Sequence, residues 1–150
     1  MTELTARVAR QAVLTAFAMF LSCLVAAAAD GSQTLRGVAL VIGNGSYEHL
    51  PSLANPENDA RAIEALLADL GFETELSSDR DARRLARDLE YFVEDAEGAD
   101  VAVIYYAGHG IEAGGENWLV PVDADIGALD AAADQLVPVS DIISRLRAAV

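Results

Sequence analysis

Residues 36–73 read RGVALVIGNGSYEHLPSLANPENDARAIEALLADLGFE and predict a strand, a loop and a helix in succession. The apolar run 37–43 is bounded by glycines, which is typical of a strand buried on both faces of a parallel sheet. Asn55 and Pro56 predict the helix start, as cap and first helical residue, and Gly71 predicts its end. Five apolar residues at helical spacing are expected to face inward: Ala60, Ile63, Leu66, Leu67 and Leu70.

The chain after this stretch continues to alternate strands and helices. FETEL (72–76) alternates apolar and charged residues, which predicts a half-exposed strand near an edge. Residues 77–98 predict a second helix, and DVAVIYYAG (100–108) predicts the third and most apolar strand. This order predicts an α/β fold with a mostly parallel sheet.

The remaining segment is less regular. After a loop around Gly114 and Gly115, NWLVPV (117–122) predicts a short strand or extended arm. A last helix is predicted at 140–150, with Ser140 as its cap. A sheet of three main strands would leave an apolar edge uncovered, so we expect residues 36–150 to be the front part of a longer domain.

The first residues have the layout of a targeting segment. Arg7 and Arg10 precede an apolar run at 12–29 that ends in four alanines, of which Ala27, Ala28 and Ala29 suit a signal-peptidase exit. Residues 1–29 are therefore predicted as a secretory signal, followed by a polar leader at 30–36, and the protein is expected to be exported, periplasmic or secreted. The alternative is an uncleaved anchor in the inner membrane, because the run at 12–29 is just long enough to span a bilayer.

Composition excludes several classes of function. The chain has 24 acidic and 10 basic residues and a formal charge of −14, which argues against binding nucleic acid. Cys23 is the only cysteine and lies inside the predicted signal. The segment after the signal therefore has no thiol, no disulfide and no cysteine-based metal site.

Two side chains are candidates for chemistry at the carboxyl ends of the predicted strands, where ligands bind in open α/β sheets. His109 follows the third strand and can transfer protons near neutral pH, and its flanking glycines are expected to permit a sharp turn. Asp59 lies in the first turn of the first helix, where it offers a negative charge to a cationic substrate. The alternatives are an ordinary loop histidine and an acid that only complements the helix dipole.

Three blocks of the sequence, in register, resemble the caspase–metacaspase superfamily of cysteine peptidases, in particular its bacterial caspase-like members. The blocks are residues 36–73, YYAGHG (105–110) and ENWLVPVDAD (116–125). The resemblance implies a three-layer caspase-like sandwich, a mostly parallel sheet with helices on both faces. It also implies a polypeptide substrate and identifies residues 36–150 as an incomplete catalytic domain, truncated before the strand that bears the nucleophile.

The resemblance also implies roles for individual residues. His109 matches the catalytic histidine, and the N–H of Gly110 matches the donor that stabilises the oxyanion. Asp59 falls where metacaspases place an acid of the pocket for the P1 side chain, which implies cleavage after Arg or Lys.

The sequence departs from the family in lacking the cysteine nucleophile, which Cys23 cannot replace because it precedes the first strand. The chain is expected to be a fragment of a longer peptidase; the alternative is a short form that has lost activity and serves as a non-catalytic module binding a peptide or partner protein. No cofactor is expected. Calcium binding is a weaker possibility, because four acids lack the fixed spacing of a calcium loop: Asp123, Asp125, Asp130 and Asp134.

Overall fold

The computed structural model describes residues 34–127 and 135–150, and residues 35–150 belong to one compact unit. The predicted signal or anchor at 1–29 lies outside the described residues. In the described part the elements are, in chain order, β1 (Gly37–Gly43), α1 (Pro56–Asp69), β2 (Glu73–Ser78), α2 (Ala82–Asp95), β3 (Val101–Ala107), β4 (Gly110–Ala113), β5 (Glu116–Leu119), β6 (Val137–Pro138) and α3 (Val139–Ala149).

The strands form two sheets. β1 lies between β2 and β3 in a parallel sheet, and β5 lies between β4 and β6 in an antiparallel sheet. The central position of β1 explains why all of its residues are buried. The prediction of an α/β fold with a parallel sheet is confirmed, as is the position of the second strand at an edge.

Helices cover both faces of the parallel sheet. Alternate residues of β1 point to opposite faces, and one set packs in a buried cluster with residues of α2 and α3: Val38, Leu40, Ile42, Leu85, Leu89, Phe92 and Ile142. Burial of each large apolar side chain contributes about 1.5–3 kcal/mol. Helix α1 lies on the opposite face. Gly43 belongs to the other set of β1 residues, and a Cβ atom at this position would come 3.0 Å from the Cβ of Ala60 in α1. The three layers agree with the predicted sandwich.

Helix α1 begins at Pro56 and is followed by Gly71 with a φ of 89°, as predicted. Two details of the prediction were wrong. Asn55 adopts helical angles and its side chain makes no capping hydrogen bond. Leu66 and Leu70 are 54% and 66% exposed, because they lie at one margin of the apolar stripe while the buried Ala60 lies at the other.

The segment after His109 forms a hairpin. Its second strand, β5, overlaps the short strand predicted at 117–122, and its first strand, β4, lies where no strand was predicted. β4 and β5 pair antiparallel from Gly110↔Leu119 to Ala113↔Glu116. The two connecting residues, Gly114 and Gly115, have φ values of 64° and 80°. Two consecutive left-handed residues are what a tight hairpin turn requires, and glycine adopts them without strain.

The second helix is shorter than the predicted 77–98, because residues 77 and 78 belong to β2 and Asp81 is the cap. Asp81 caps α2 by accepting a hydrogen bond from the N–H of Arg84 at 2.7 Å. The final helix begins one residue earlier than predicted, so Pro138, and not Ser140, precedes its first residue. Within the described ranges, none of the helices combines the length and apolarity needed to cross a bilayer.

Candidate active site

The loops that follow β1 and β3 meet at the carboxyl end of the parallel sheet. Gly43 and Ala107, the last residues of these strands, are partners in the register. The N–H of Asn44 donates to the carbonyl of Ala107 at 2.8 Å. His109 lies two residues beyond β3 and is therefore at the edge of the sheet where ligands bind in α/β folds.

Asn44 is fully buried and joins three segments at this edge. Its side-chain oxygen accepts from the N–H of Arg80 at 2.9 Å, and its side-chain nitrogen donates to the carbonyls of Arg80 and Val120 at 3.4 and 3.5 Å. A buried amide without such partners would be costly. These bonds therefore hold the loops after β1, β2 and β5 together beneath His109.

The imidazole of His109 is half-buried and its Nε2 atom lies 2.9 Å from the carbonyl oxygen of Pro51. A carbonyl oxygen can only accept, so Nε2 carries a proton and donates it. In the neutral ring Nδ1 is then the atom that can take up a proton. The ring of Tyr47 packs against the imidazole at a centroid distance of 4.5 Å, with an angle of 60° between the rings.

The backbone of His109 is held by two tyrosine hydroxyls. Its N–H donates to Tyr47 Oη at 2.7 Å, and Tyr47 Oη lies 3.2 Å from Tyr106 Oη. Tyr106 Oη in turn donates to two carbonyls, those of Val120 at 2.8 Å and His109 at 3.1 Å. Because Tyr106 has one hydroxyl proton, and gives it to these carbonyls, its oxygen accepts the proton of Tyr47.

Both tyrosines stay protonated at neutral pH. Burial is the main cause that raises the pKa of Tyr106 far above its ordinary value, and the contact with Tyr47 adds to it. Burial also raises the pKa of Tyr47, and this outweighs its hydrogen bonds with Tyr106 and His109. The two hydroxyls can therefore serve as hydrogen-bond donors at neutral pH.

Gly108 is required by the closeness of these hydroxyls. A Cβ atom at this position would lie 2.6 Å from both Tyr47 Oη and Tyr106 Oη. The chain bends at Gly108, as the prediction of a sharp turn requires, but neither Gly108 nor Gly110 has a positive φ, so the backbone angles alone do not demand glycine at either position. What Gly108 provides is space for the two tyrosines.

Gly110 lies at the start of β4, where its N–H is directed outward. Val120 N–H donates to the carbonyl of His109 at 3.2 Å, which makes residues 109 and 120 a hydrogen-bonded pair of the hairpin. The next pair, Gly110↔Leu119, is then non-hydrogen-bonded, because the two kinds of pair alternate in antiparallel strands. The Gly110 N–H therefore points away from β5.

Asp59 is exposed in the first turn of α1. This turn lies at the carboxyl end of β1, since a Cβ atom at Gly43 would be 2.6 Å from the carbonyl oxygen of Pro56. Neighbouring Glu57 is paired with Arg61 at 2.7 Å, whereas Asp59 joins no ion pair among the described residues. Asp59 and His109 thus share one edge of the sheet, without a direct contact between them in the described structure.

A second acid, Asp79, fixes the loop after β1. Its Oδ1 accepts from the N–H groups of Gly45 and Ser46 at 2.8 and 2.9 Å, and its own φ is 49°. Partial burial acts to raise the pKa of Asp79, but the hydrogen bonds from Ser46 and Gly45 outweigh it and hold the pKa below its usual range. The charged carboxylate therefore stabilises the loop that carries Tyr47.

The acids considered as calcium ligands have other partners where they are described. Asp123 accepts from the N–H of Ala82, the first residue of α2, at 2.8 Å, and Asp125 accepts from Gly127 N–H at 3.0 Å. Asp130 and Asp134 lie outside the described residues. Across 34–127 and 135–150, no group of three or more His, Cys, Asp or Glu side chains could hold a metal ion.

Sequence reasoning did not identify Tyr47, Tyr106, Asn44, Asp79 or Pro51 as parts of the site. The carbonyl of Pro51 has no signature in the sequence, because every residue carries one. Tyr47 could have been found as a large aromatic residue in an otherwise polar loop, and Tyr106 as a hydroxyl on an apolar strand, which needs a partner when buried.

A parallel sheet covered on both faces, with an imidazole held at its carboxyl edge, is the arrangement that the resemblance to caspase-like domains implied. The chain belongs to the caspase domain family, whose sequence profile matches residues 36–148. This family is one of peptidases.

Two relatives agree with this assignment. Over 87 residues the chain is 36% identical to the mucosa-associated lymphoid tissue lymphoma translocation protein 1 homolog of Mus musculus, and 34% identical to mucosa-associated lymphoid tissue lymphoma translocation protein 1 of Homo sapiens. Each match covers 58% of this chain but only 10% and 11% of the relatives. The chain thus spans about a tenth of the length of these proteins.

Proposed function

We propose that this chain supplies the histidine of a caspase-type cysteine endopeptidase that is exported and cleaves after Arg or Lys. The observation that carries the proposal is the bond from His109 Nε2 to the Pro51 carbonyl at 2.9 Å. It gives the ring one defined tautomer and leaves Nδ1 as the base. A general base must be fixed in this way before it can act on a nucleophile.

In the proposed reaction Nδ1 of His109 takes the proton of a cysteine thiol. The thiolate attacks the scissile carbonyl, and the outward N–H of Gly110 donates to the oxyanion that forms. His109 then protonates the leaving amine, and water hydrolyses the resulting thioester. Cys23 is the only thiol among residues 1–150 and precedes β1, so the proposal requires a nucleophilic cysteine other than Cys23, from outside these 150 residues.

The preference for a basic P1 residue rests on Asp59. Its carboxylate is exposed, belongs to no ion pair of the described residues and lies at the same edge as His109. An acid in this position can pair bidentately with a guanidinium. The net charge of −14 also favours the approach of a cationic peptide.

The experiment is a turnover assay of the complete protein with a series of fluorogenic peptides. The peptides are identical except for the residue that precedes the fluorogenic group, which is Arg, Lys or Asp. Hydrolysis after Arg and Lys, with little after Asp, is expected. Hydrolysis after Asp alone would contradict the proposed specificity. Absence of all hydrolysis, with the peptide still bound, would favour the non-catalytic binding module instead.

Export is proposed from the segment at 1–29 and has its own test. N-terminal sequencing of the protein recovered from a bacterial periplasm is expected to begin near Asp30. A product that retains residues 12–29 and sediments with membranes would identify an anchor in place of a cleaved signal.

A further inference from the structure

The site contains two buried hydroxyls that the proposed reaction does not use. Tyr47 lies in the loop after β1 and Tyr106 in β3, and their hydroxyls meet 3.2 Å apart beside the backbone of His109. A buried hydroxyl of this kind is costly unless each of its groups has a partner. Here every one of these groups has a partner. The hydrogen bonds that join His109, Tyr47 and Tyr106 form a closed circuit.

The circuit begins and ends at one residue. The N–H of His109 donates to Tyr47 Oη at 2.7 Å, Tyr47 donates to Tyr106, and Tyr106 donates to the carbonyl of His109 at 3.1 Å. The N–H and the carbonyl of His109 are therefore both fixed, from two different elements of the fold. The Tyr47 ring also packs on the imidazole, which limits its rotation.

We propose that Tyr47 and Tyr106 are positioning residues, which set the direction of the His109 imidazole and of the Gly110 N–H by holding the peptide groups on both sides of His109. Their importance for turnover rests on the proposed function, whereas their effect on the ring does not. Because proton transfer requires the reacting atoms to be aligned, a shift of the ring by about 1 Å is enough to reduce turnover about 100-fold.

Two supporting features are independent of the circuit itself. The first is Gly108, at which a Cβ atom would lie 2.6 Å from both hydroxyl oxygens, so only glycine leaves room for them. Tyr106 also donates to the carbonyl of Val120 at 2.8 Å, so the circuit is tied to the hairpin that carries Gly110. A shift of either tyrosine would therefore be transmitted to both proposed catalytic groups.

The test removes one hydroxyl at a time and keeps the rings. In the complete protein, Tyr47→Phe is expected to lower kcat about 10- to 100-fold, with KM within about twofold of the original value. Tyr105→Phe is the matched control, because Tyr105 is adjacent on β3 but points to the opposite face and is outside the circuit. Its kcat is expected to be unchanged.

A second readout follows the ring without any substrate. In protein labelled with ¹⁵N-histidine, long-range ¹H–¹⁵N spectra are expected to show His109 as the Nε2–H tautomer. The signals of the exposed His49 serve as an internal reference, and the signals that disappear in His109→Ala are assigned to His109. In Tyr47→Phe this single tautomer is expected to give way to a mixture. If Tyr47→Phe does not fold, Tyr106→Phe tests the same circuit from its other end.

Unchanged kcat and an unchanged His109 signal in the phenylalanine variants would overturn the proposal. So would a fall in kcat with an unaltered ring signal, because the tyrosine would then act by another route. If the original protein shows no turnover, the proposed function fails while the ring signal still decides whether the two tyrosines position His109.

Discussion

The Nε2 atom of His109 lies 2.9 Å from the carbonyl oxygen of Pro51, which joins the segment after β3 to the loop that precedes α1. The imidazole is thus oriented by a backbone carbonyl and needs no acidic side chain for this purpose. Helix α1 begins five residues after Pro51 and carries Asp59 in its first turn. The same loop therefore links the proposed base to the element that bears the proposed specificity residue.

Replacement of Asp59 is expected to change substrate preference more than catalysis. Asp59→Asn removes one charge from the proposed hydrogen-bonded ion pair with the P1 side chain. The interaction free energy with that side chain is then expected to fall by about 1.5–3 kcal/mol. The ratio of kcat/KM for Arg over an uncharged P1 residue should fall about 10- to 100-fold. Measurement requires the same peptide series with Arg, Lys and Gln at P1.

Glu57→Gln is the control for this experiment. Glu57 lies in the same turn of α1, but its carboxylate is paired with Arg61 at 2.7 Å. Its replacement removes the same charge from the protein without touching the proposed pocket. An equal change in the two variants would show general attraction of cations and contradict a specific role for Asp59.

Gly108→Ala is expected to destabilise the fold by about 1–3 kcal/mol, the usual cost of adding a methyl group to a filled space. The added Cβ would lie 2.6 Å from both tyrosine oxygens, which must then move. Urea unfolding measures the effect. Gly110→Ala provides the comparison, because its Cβ would meet only the carbonyl of Trp118 at 3.5 Å, and equal destabilisation of the two variants would contradict the packing argument.

Asp79 gives a prediction for the dependence of stability on pH. Hydrogen bonds from Ser46 and Gly45 hold its folded pKa below the unfolded value of about 3.9. A lowered folded pKa means that the charged carboxylate stabilises the fold above that pH and that this contribution is lost as the pH falls through the folded pKa. Asp79→Asn should therefore lower the free energy of unfolding at pH 7.

The difference between Asp79→Asn and the original protein should shrink as the pH falls below about 4. Asparagine tolerates the left-handed φ of 49° at this position, so backbone strain does not complicate the comparison. Urea unfolding at pH 7, 5 and 3 tests this. A difference that is constant over this range would show that the charge of Asp79 is not responsible.

The sequence was sufficient for the central part of the fold because its signals are local. The apolar run of β1 and the stripe of Leu85, Leu89 and Phe92 in α2 follow from periodicity and burial. Strand β4 was missed because Gly110–Ala113 is only four residues long, although Ile111 and Ala113 alternate with Gly110 and Glu112. The two glycines that follow it were the available sign of a hairpin turn, and they were interpreted only as a loop.

The candidate site was only partly predictable, for a different physical reason. His109 and Asp59 could be proposed because their side chains carry the chemistry themselves. Their surroundings depend on contacts between residues far apart in the chain, such as Tyr47 with Tyr106 and His109 with Pro51. No pattern in one sequence specifies which backbone carbonyl will meet an imidazole, so the tautomer of His109 became evident only from the fold.

The central claim is that His109 is the base of a peptidase, and its replacement in the complete protein tests this most directly. His109→Ala should reduce kcat/KM for an Arg peptide by at least about 10³-fold, while the variant unfolds in urea near the same midpoint as the original protein. A folded His109→Ala protein that cleaves the peptide at the original rate would contradict the claim.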